Sequence, residues 1–494
     1  MRVSTSFASS LTAAALASVM LVACGSQSST EQASAPAPAI ASIVNIVPAP
    51  NANAFITGTL DVSDGVTIIG RDQSVAAQML TETFTTTGDI LVTLQGDTSL
   101  TPESYRLVID DAITISAADD TGLLYGAQTL QQIVLQYGTS LPKTAFTDAP
   151  RYSWRGSMID VARSFYPIDY LYAHVDRMAM FKLNKLHLHL SDDQGWRLQV
   201  PDYPRLVEVG GNSAVEGGRT GYYSSEDMRA LVEYASERGV TIVPEIDLPG
   251  HTQAAIASYN DLACDGVTNL GTYSGVRVGF SKLCLTKPEV YKPFVEAVID
   301  TMVDVFPSEF IHIGGDEIRD PLYGEFMVYA SDYVASKGRS AVAWEEAGKH
   351  VMNDTSMVFQ WWNDNFDLTP AIERGHRQIL SPCSYTYLDH GNYAGQPNTY
   401  TWCRQDGVPL ERLYSFEPAD FNNVLGIEAP LWSELVHDNA TADNRLWPRL
   451  MGVAELGWSV PQYRDWQSFS QRIEALQPML DEAGVAYYPW IDAR

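Results

Sequence analysis

From Trp154 onward the chain alternates short apolar runs, rich in β-branched and aromatic residues, with longer amphipathic runs of helical period. Strand-like runs fall at Gly156–Val161, Lys185–Leu190, Thr241–Ile246, Phe310–Ile313, Ser340–Trp344, Met357–Trp361, Gln378–Leu380 and Val424–Glu428. Helix-like runs such as Tyr170–Met180, Ser225–Glu237, Lys287–Val305 and Tyr329–Lys337 lie between most of them. This alternation restricts the fold to the α/β class. Eight βα units over about 340 residues predict a (β/α)8 TIM barrel, assigned to 151–494. A doubly wound open sheet is the alternative, but no GxGxxG turn comes after the first strand. A barrel presents its functional side chains at the C-terminal ends of its strands. Those ends read Asp160/Arg163, Asp192/Asp193, Glu245/Asp247/His251, Asp316/Glu317, Trp344/Glu345, Trp361/Trp362, Tyr387/Asp389 and Trp432/Glu434. Acids and aromatic residues thus collect where a barrel would place a site.

The stretch 43–150 is organised differently. Gly65–Gly70, Ile90–Leu94 and Tyr105–Ile109 read as strands, and Thr121 to Gln136 is helical, with Asp119 or Asp120 as its cap. A small α+β domain preceding the barrel is expected. Residues 1–24 read as an export signal: Arg2, then an apolar run from Leu11 to Ala23. Leu21-Val22-Ala23-Cys24-Gly25 resembles a bacterial lipobox. That resemblance implies cleavage before Cys24, lipidation of Cys24 and a membrane tether in the cell envelope, with Gly25 favouring the outer membrane and a periplasm-facing position. Residues 25–42, rich in Ser, Ala, Gln and Pro, read as a flexible tether. An exported chain favours disulfides, and the remaining cysteines form two pairs of equal spacing, so Cys264–Cys284 and Cys383–Cys403 are the expected bridges. A net charge of −28 with no Lys/Arg-rich run excludes nucleic acid as a partner and is compatible with a neutral ligand.

The chemistry centres on Phe310-Ile311-His312-Ile313-Gly314-Gly315-Asp316-Glu317: a buried strand, two glycines, then adjacent carboxylates. The glycines permit a tight turn and close approach of another group. Two crowded acids push one pKa up, which suits general-acid work. Trp344, Trp361 or Trp362, and Trp432 stand at strand ends, with Trp402 in a loop. Indole faces beside carboxylates suit a sugar, whose C–H faces pack on rings while its hydroxyls bond to acids. His187 and His189 share one strand face and raise the alternative of a metal, with His251 or His312 as third ligand. A serine hydrolase lacks its GxSxG elbow.

Five ordered segments carry a family resemblance: Arg155-Gly156-Ser157-Met158-Ile159-Asp160-Val161-Ala162-Arg163; Lys185 through Arg197, containing His187-Leu188-His189 and Asp192-Asp193; Pro244-Glu245-Ile246-Asp247-Leu248-Pro249-Gly250-His251; His312 through Glu317; and Tyr387-Leu388-Asp389. The chain resembles the family 20 glycoside hydrolases, the β-N-acetylhexosaminidases. The resemblance implies retaining, substrate-assisted hydrolysis of terminal N-acetylhexosamine residues, on a small oligosaccharide substrate, with no cofactor and no metal. It makes Glu317 the general acid and base, and Asp316 the partner of the substrate acetamide N–H. Tyr387 would donate to the acetamide oxygen. Trp344, Trp362 and Trp402 would box the acetyl methyl, with Trp361 the alternative to Trp362. Trp432 would stack under the ring, Arg163 and Glu434 would bond outer hydroxyls, and Asp389 would assist Tyr387 or a hydroxyl. His251, with Asp192 or Asp193, would form a relay to Glu317. Asp160 and Asp247 are expected as scaffolding. Two departures stand out: Ser164 where relatives often carry His, and Cys403 after Trp402 where an acid is frequent.

Overall fold

The computed structural model describes residues 44–490 except 52, 72, 351–355 and 418–422. The expected export signal at 1–24, Cys24, the tether at 25–42 and Ile43 lie outside the described residues.

The amino-terminal part is a mixed six-stranded sheet in the order β1-β6-β4-β5-β3-β2. Its strands are β1 (Asn53–Asp61), β2 (Val66–Gly70), β3 (Ile90–Gly96), β4 (Tyr105–Ile109), β5 (Ile113–Ala117) and β6 (Ser140–Asp148). Helices α1 (Val75–Thr83) and α2 (Asp120–Tyr137) accompany the sheet. Asp119 caps α2 by accepting the Gly122 N–H, which settles which of the two aspartates is the cap. Sequence patterning misses three strands here: β1 and β6 are half-polar and short on apolar alternation, while β5 alternates but is only five residues long.

Eight parallel strands then close into a barrel: β7 (Trp154–Asp160), β8 (Lys185–His189), β9 (Thr241–Glu245), β10 (Phe310–His312), β11 (Ser340–Trp344), β12 (Val358–Trp361), β13 (Arg377–Leu380) and β14 (Val424–Leu431), with β14 paired to β7. Each strand overlaps the apolar run that predicts it, with β7 starting two residues earlier and β14 ending three residues later than expected. Parallel strands are covered on both faces, which makes them continuous apolar runs rather than alternating ones. Helices α3 (Ile168–Met180), α4 (Ser225–Glu237), α5 (Pro288–Val305) and α6 (Tyr323–Ser336) intervene. Helix α4 starts at a reciprocal capping box between Ser224 and Asp227, and α5 starts on Pro288, whose missing N–H costs nothing there.

The barrel interior is stratified by the two-residue strand period. A lower layer is apolar: Trp154, Val243, Phe310, Val342, Val358 and Ile379. Two residues further along several of these strands stand Glu245, His312, Trp344 and Gln360, all buried. With His187, His189 and Glu428 they form a bonded polar layer directly beneath the carboxyl-terminal mouth. The amino-terminal sheet is tied to the base of the barrel through Trp458, whose indole N–H donates to Asp148 at 3.0 Å, and Arg155, which donates to the Tyr125 hydroxyl at 2.8 Å.

Candidate active site

The octamer from Phe310 to Glu317 behaves as its glycines demand. Gly314 and Gly315 have φ of 67° and 104°, in the left-handed region. A Cβ on Gly314 would lie 1.8 Å from Asp247 Oδ1, so only glycine admits that carboxylate. Asp247 then accepts the Gly315 N–H at 3.0 Å. Two non-glycine residues of the site also sit at positive φ, Glu317 at 59° and His251 at 52°. Such conformations cost about 1–3 kcal/mol each and persist where the surroundings impose them.

The turn delivers Asp316 and Glu317 to one pocket of about 250 Å³ at the carboxyl-terminal mouth. Arg163, His251, Trp362, Tyr387, Asp389, Trp402, Trp432 and Glu434 line the same pocket, together with Val278 and Tyr400. The aromatic wall is continuous. Trp362 and Trp402 meet edge to face with ring centroids 5.8 Å apart and Tyr387 and Trp402 likewise at 5.9 Å, while Tyr387 and Trp432 lie tilted at 6.2 Å. The Arg163 guanidinium lies 4.9 Å over Trp432. Arg163 is anchored by Asp192 at 2.7 Å and by Asp160 at 3.4 Å. Asp160 also accepts the backbone N–H groups of Ala162, Arg163 and Ser433, which makes it scaffolding.

The structure separates the alternatives that sequence left open. Trp362 faces the pocket; Trp361 does not, and its indole N–H donates to the Asn363 carbonyl at 2.9 Å while its ring packs on the core. Neighbouring residues at a strand end point to opposite sides, so the pair could supply one wall residue only. Trp344 lies one layer deeper than expected. It is 1% exposed, its N–H donates to Glu245 at 2.9 Å, and its ring touches Trp432 at 5.8 Å. It supports the pocket floor instead of lining the pocket. Asp192, not Asp193, faces His251, at 3.3 Å from Nδ1. Asp193 is occupied by the Ser281 hydroxyl and the Gln253 N–H.

His251 Nε2 is 3.6 Å from Glu317 and 3.9 Å from Asp316. Burial works against a charge on His251, but Asp192, Asp316 and Asp247 outweigh it and hold the imidazole protonated well above its ordinary range. Burial opposes the charge of Asp192 too, yet Arg163 and His251 hold it ionised far below the usual carboxylate range. Asp316 is raised, first by burial and then by Glu317, against the pull of His251. Burial raises Tyr387 well above its normal value, and Glu345 and Asp389 add to this, so the phenol stays a donor.

The histidine pair that raised the metal alternative belongs to the polar layer below. His187 Nδ1 is 2.8 Å from Glu428, and His189 is bonded on both nitrogens, to Glu245 at 2.5 Å and Asp192 at 2.9 Å. His312 Nδ1 lies 3.0 Å from Glu245. Each of these imidazoles is thus paired with a carboxylate of the chain through at least one nitrogen.

Both expected bridges, Cys264–Cys284 and Cys383–Cys403, are formed. The second closes the segment that carries Tyr387, Asp389 and Trp402. Trp402 is 56% exposed and held only at the pocket edge, so the bridge at its neighbour limits where the indole can go. Replacing Cys383 and Cys403 by serine is expected to raise KM by up to about tenfold, since ordering one or two side chains on binding costs about 0.5–1.5 kcal/mol each. Turnover number should change less than about twofold, and steady-state kinetics beside a thermal melt would show it. An unchanged KM would remove the idea.

Residue-by-residue reading missed Tyr400 and Val278, which reach the pocket from loops with no motif of their own. It also missed Glu346. Its carboxylate accepts the Trp362 indole N–H at 3.3 Å, and its pKa is pushed up to about 7, by burial first and by Asp316 next.

Comparison with known proteins decides the family. Residues 152–325 and 318–461 match the catalytic domain of glycosyl hydrolase family 20, and residues 44–149 match domain 2 of that family. The chain is a family 20 glycoside hydrolase. This hydrolase is 36% identical over 402 residues to a β-N-acetylhexosaminidase of Cellulomonas fimi, covering 78% of the chain and 80% of that protein. It superimposes on the Streptomyces plicatus N-acetyl-β-hexosaminidase in complex with thio-NAglucal with a TM-score of 0.83, at 34% identity, over 90% of the chain and 96% of its neighbour. The Streptomyces coelicolor family 20 β-N-acetylhexosaminidase gives the same TM-score at 32% identity, over 90% and 97%.

Proposed function

We propose that the hydrolase is an exo-acting β-N-acetylhexosaminidase that removes terminal N-acetylglucosamine or N-acetylgalactosamine with retention, using the substrate's acetamide as nucleophile. One observation supports this above the rest. Several buried polar atoms of the pocket lack a hydrogen-bond partner among the described residues: Asp316 Oδ1, Asp389 Oδ1, Glu434 Oε2 and Arg163 Nε. Buried polar groups are normally paired. These converge under a wall of indoles and a phenol, as a ligand with one apolar face and a rim of hydroxyl and amide groups requires.

The acetamide oxygen forms a bond to the anomeric carbon as the glycosidic C–O bond breaks, and Glu317 gives its proton to the departing oxygen. Being intramolecular, the attack gains from proximity. The positive charge that develops on the oxazolinium faces the Asp316 carboxylate, which also takes its N–H. Tyr387 donates to the acetamide oxygen, and Trp362 and Trp402 confine the methyl. Water then adds at the anomeric carbon, Glu317 takes its proton, and the acetamide re-forms with the original configuration. No enzyme nucleophile is needed, as in the substrate-assisted exceptions to the two-carboxylate scheme. Arg163, Glu434 and Asp389 hold the outer hydroxyls. A panel of chitobiose, N-acetylgalactosaminides and lacto-N-biose conjugates, with the first-formed anomer monitored by NMR, tests the reading. The β-anomer of a free N-acetylhexosamine is expected; an inverted product or release of internal fragments would refute it.

We further propose that Cys24 carries lipid and tethers the hydrolase to the cell envelope, on the strength of Leu21-Val22-Ala23-Cys24. Labelled fatty acid should enter the native chain and not a Cys24→Ser variant; equal labelling of both would exclude the anchor.

A further inference from the structure

Glu317 borders a second cavity. On its outer side a groove of about 800 Å³ runs between residues 278–282, residues 318–319, and Glu346, Lys349, Asn363 and Phe366. Glu317 and Val278 line both groove and pocket, so the groove begins where the proton is delivered. A sugar seated in the pocket has its glycosidic oxygen at Glu317. Whatever that oxygen carries lies in the groove.

The lining of the groove runs against the charge of the chain. The protein as a whole bears −28, yet Lys282, Arg319 and Lys349 all line this cavity. Lys282 is neutralised by Asp320 at 2.6 Å. Arg319 is exposed and makes no ion pair among the described residues. Lys349 also lacks a carboxylate among the described residues, and its ammonium lies 4.2 Å over the Phe366 ring. The acids lining the groove are Glu317, the proton donor of the reading above, and Glu346. Glu317 must carry a proton to act as acid, and Glu346 is pushed up to about 7 by its burial. Among the described residues, the guanidinium of Arg319 and the ammonium of Lys349 are thus the lining cations without a carboxylate partner, beside the apolar rings of Phe280 and Phe366.

We infer that this groove is a leaving-group site that selects an anionic sugar, one bearing a carboxylate or a sulfate, next to the N-acetylhexosamine being released. The inference rests on the hexosaminidase reading above. Beyond about 8 Å at physiological ionic strength the rest of the negative surface is screened, so the groove's own cations decide the sign that a substrate anion feels.

The test compares disaccharides in which β-N-acetylglucosamine is linked to glucose, to glucuronic acid, to the glucuronic methyl ester or to a sulfated glucose, at one ionic strength near 0.15 M. The carboxylate or the sulfate substrate is expected to show kcat/KM about tenfold above the glucose one, with the methyl ester at the glucose level. In an Arg319→Gln/Lys349→Gln variant the ratio of acidic to neutral substrate should fall to about one, and in Arg319→Lys/Lys349→Arg it should return. Using a ratio removes any dependence on the fraction of folded enzyme. A native ratio at or below one for both anions, or a ratio that survives the double Gln substitution, would overturn the inference. Failure of the native enzyme to release p-nitrophenol from its N-acetylglucosaminide would overturn the hexosaminidase reading itself.

Discussion

Glu317→Gln is expected to lower turnover of chitobiose by about 10²- to 10⁴-fold, the range over which a positioned general acid contributes. Glutamine keeps the size of the side chain and the contact with the pocket edge but carries no transferable proton. A sugar alkoxide is a poor leaving group and cannot depart unprotonated. A p-nitrophenolate can, so the aryl substrate should lose much less in its first step. The contrast between the two substrates isolates proton transfer from any general damage. Glu317 is 34% exposed on its side chain, so the substitution should leave the melting temperature within a few degrees. Equal losses on both substrates, or none, would take the acid role away from Glu317.

Asp316→Asn is expected to cost about 10²- to 10³-fold in kcat, or about 2.7–4 kcal/mol, the amount lost when one preorganised group facing developing charge is removed. The positive oxazolinium forms against a largely buried carboxylate, whose charge counts for more there than it would in water. Asparagine removes that charge and can present an N–H to an N–H. The pH profile offers a second reading of the same residue. Burial and Glu317 raise the pKa of Asp316. As pH falls through that raised value the carboxylate takes a proton, its charge disappears, and kcat/KM falls. The acid limb should therefore begin above the pH at which an ordinary aspartate titrates, and it should vanish in Asp316→Asn. A limb that persists unchanged in the variant would assign it to another group.

Much of this site was readable from residue types at strand ends. Parallel barrel strands are continuous apolar runs, and the residues just past the carboxyl end of each run must lie at the mouth. Arg163, His251, Asp316, Glu317, Tyr387, Asp389, Trp432 and Glu434 could therefore be gathered without coordinates. Trp361 and Trp362 could not be told apart, because a one-residue difference at a strand end reverses the side on which a side chain emerges and nothing composition-based marks where pairing stops. Trp344 ends its run, and the strand-end rule alone puts it at the mouth. The two-residue period carries it inward onto the layer of Glu245 and His312, where its N–H finds a buried acceptor. Tyr400 and Val278 carry no signal, since their role comes from how loops fold back over the barrel and not from local pattern, whereas Glu346 stands two residues past Trp344, where the strand-end rule does reach.

The order of the elements, the closing of a barrel and the chemical character of its rim are set by the sequence, because hydrophobic period and turn residues act over a few neighbours and are written locally. The depth of each ring, the choice of Asp192 over Asp193 to face His251, and the joining of Glu317 to a cationic groove belong to the tertiary structure. They depend on contacts between residues far apart in the chain, where close packing decides which of two adjacent side chains meets the substrate.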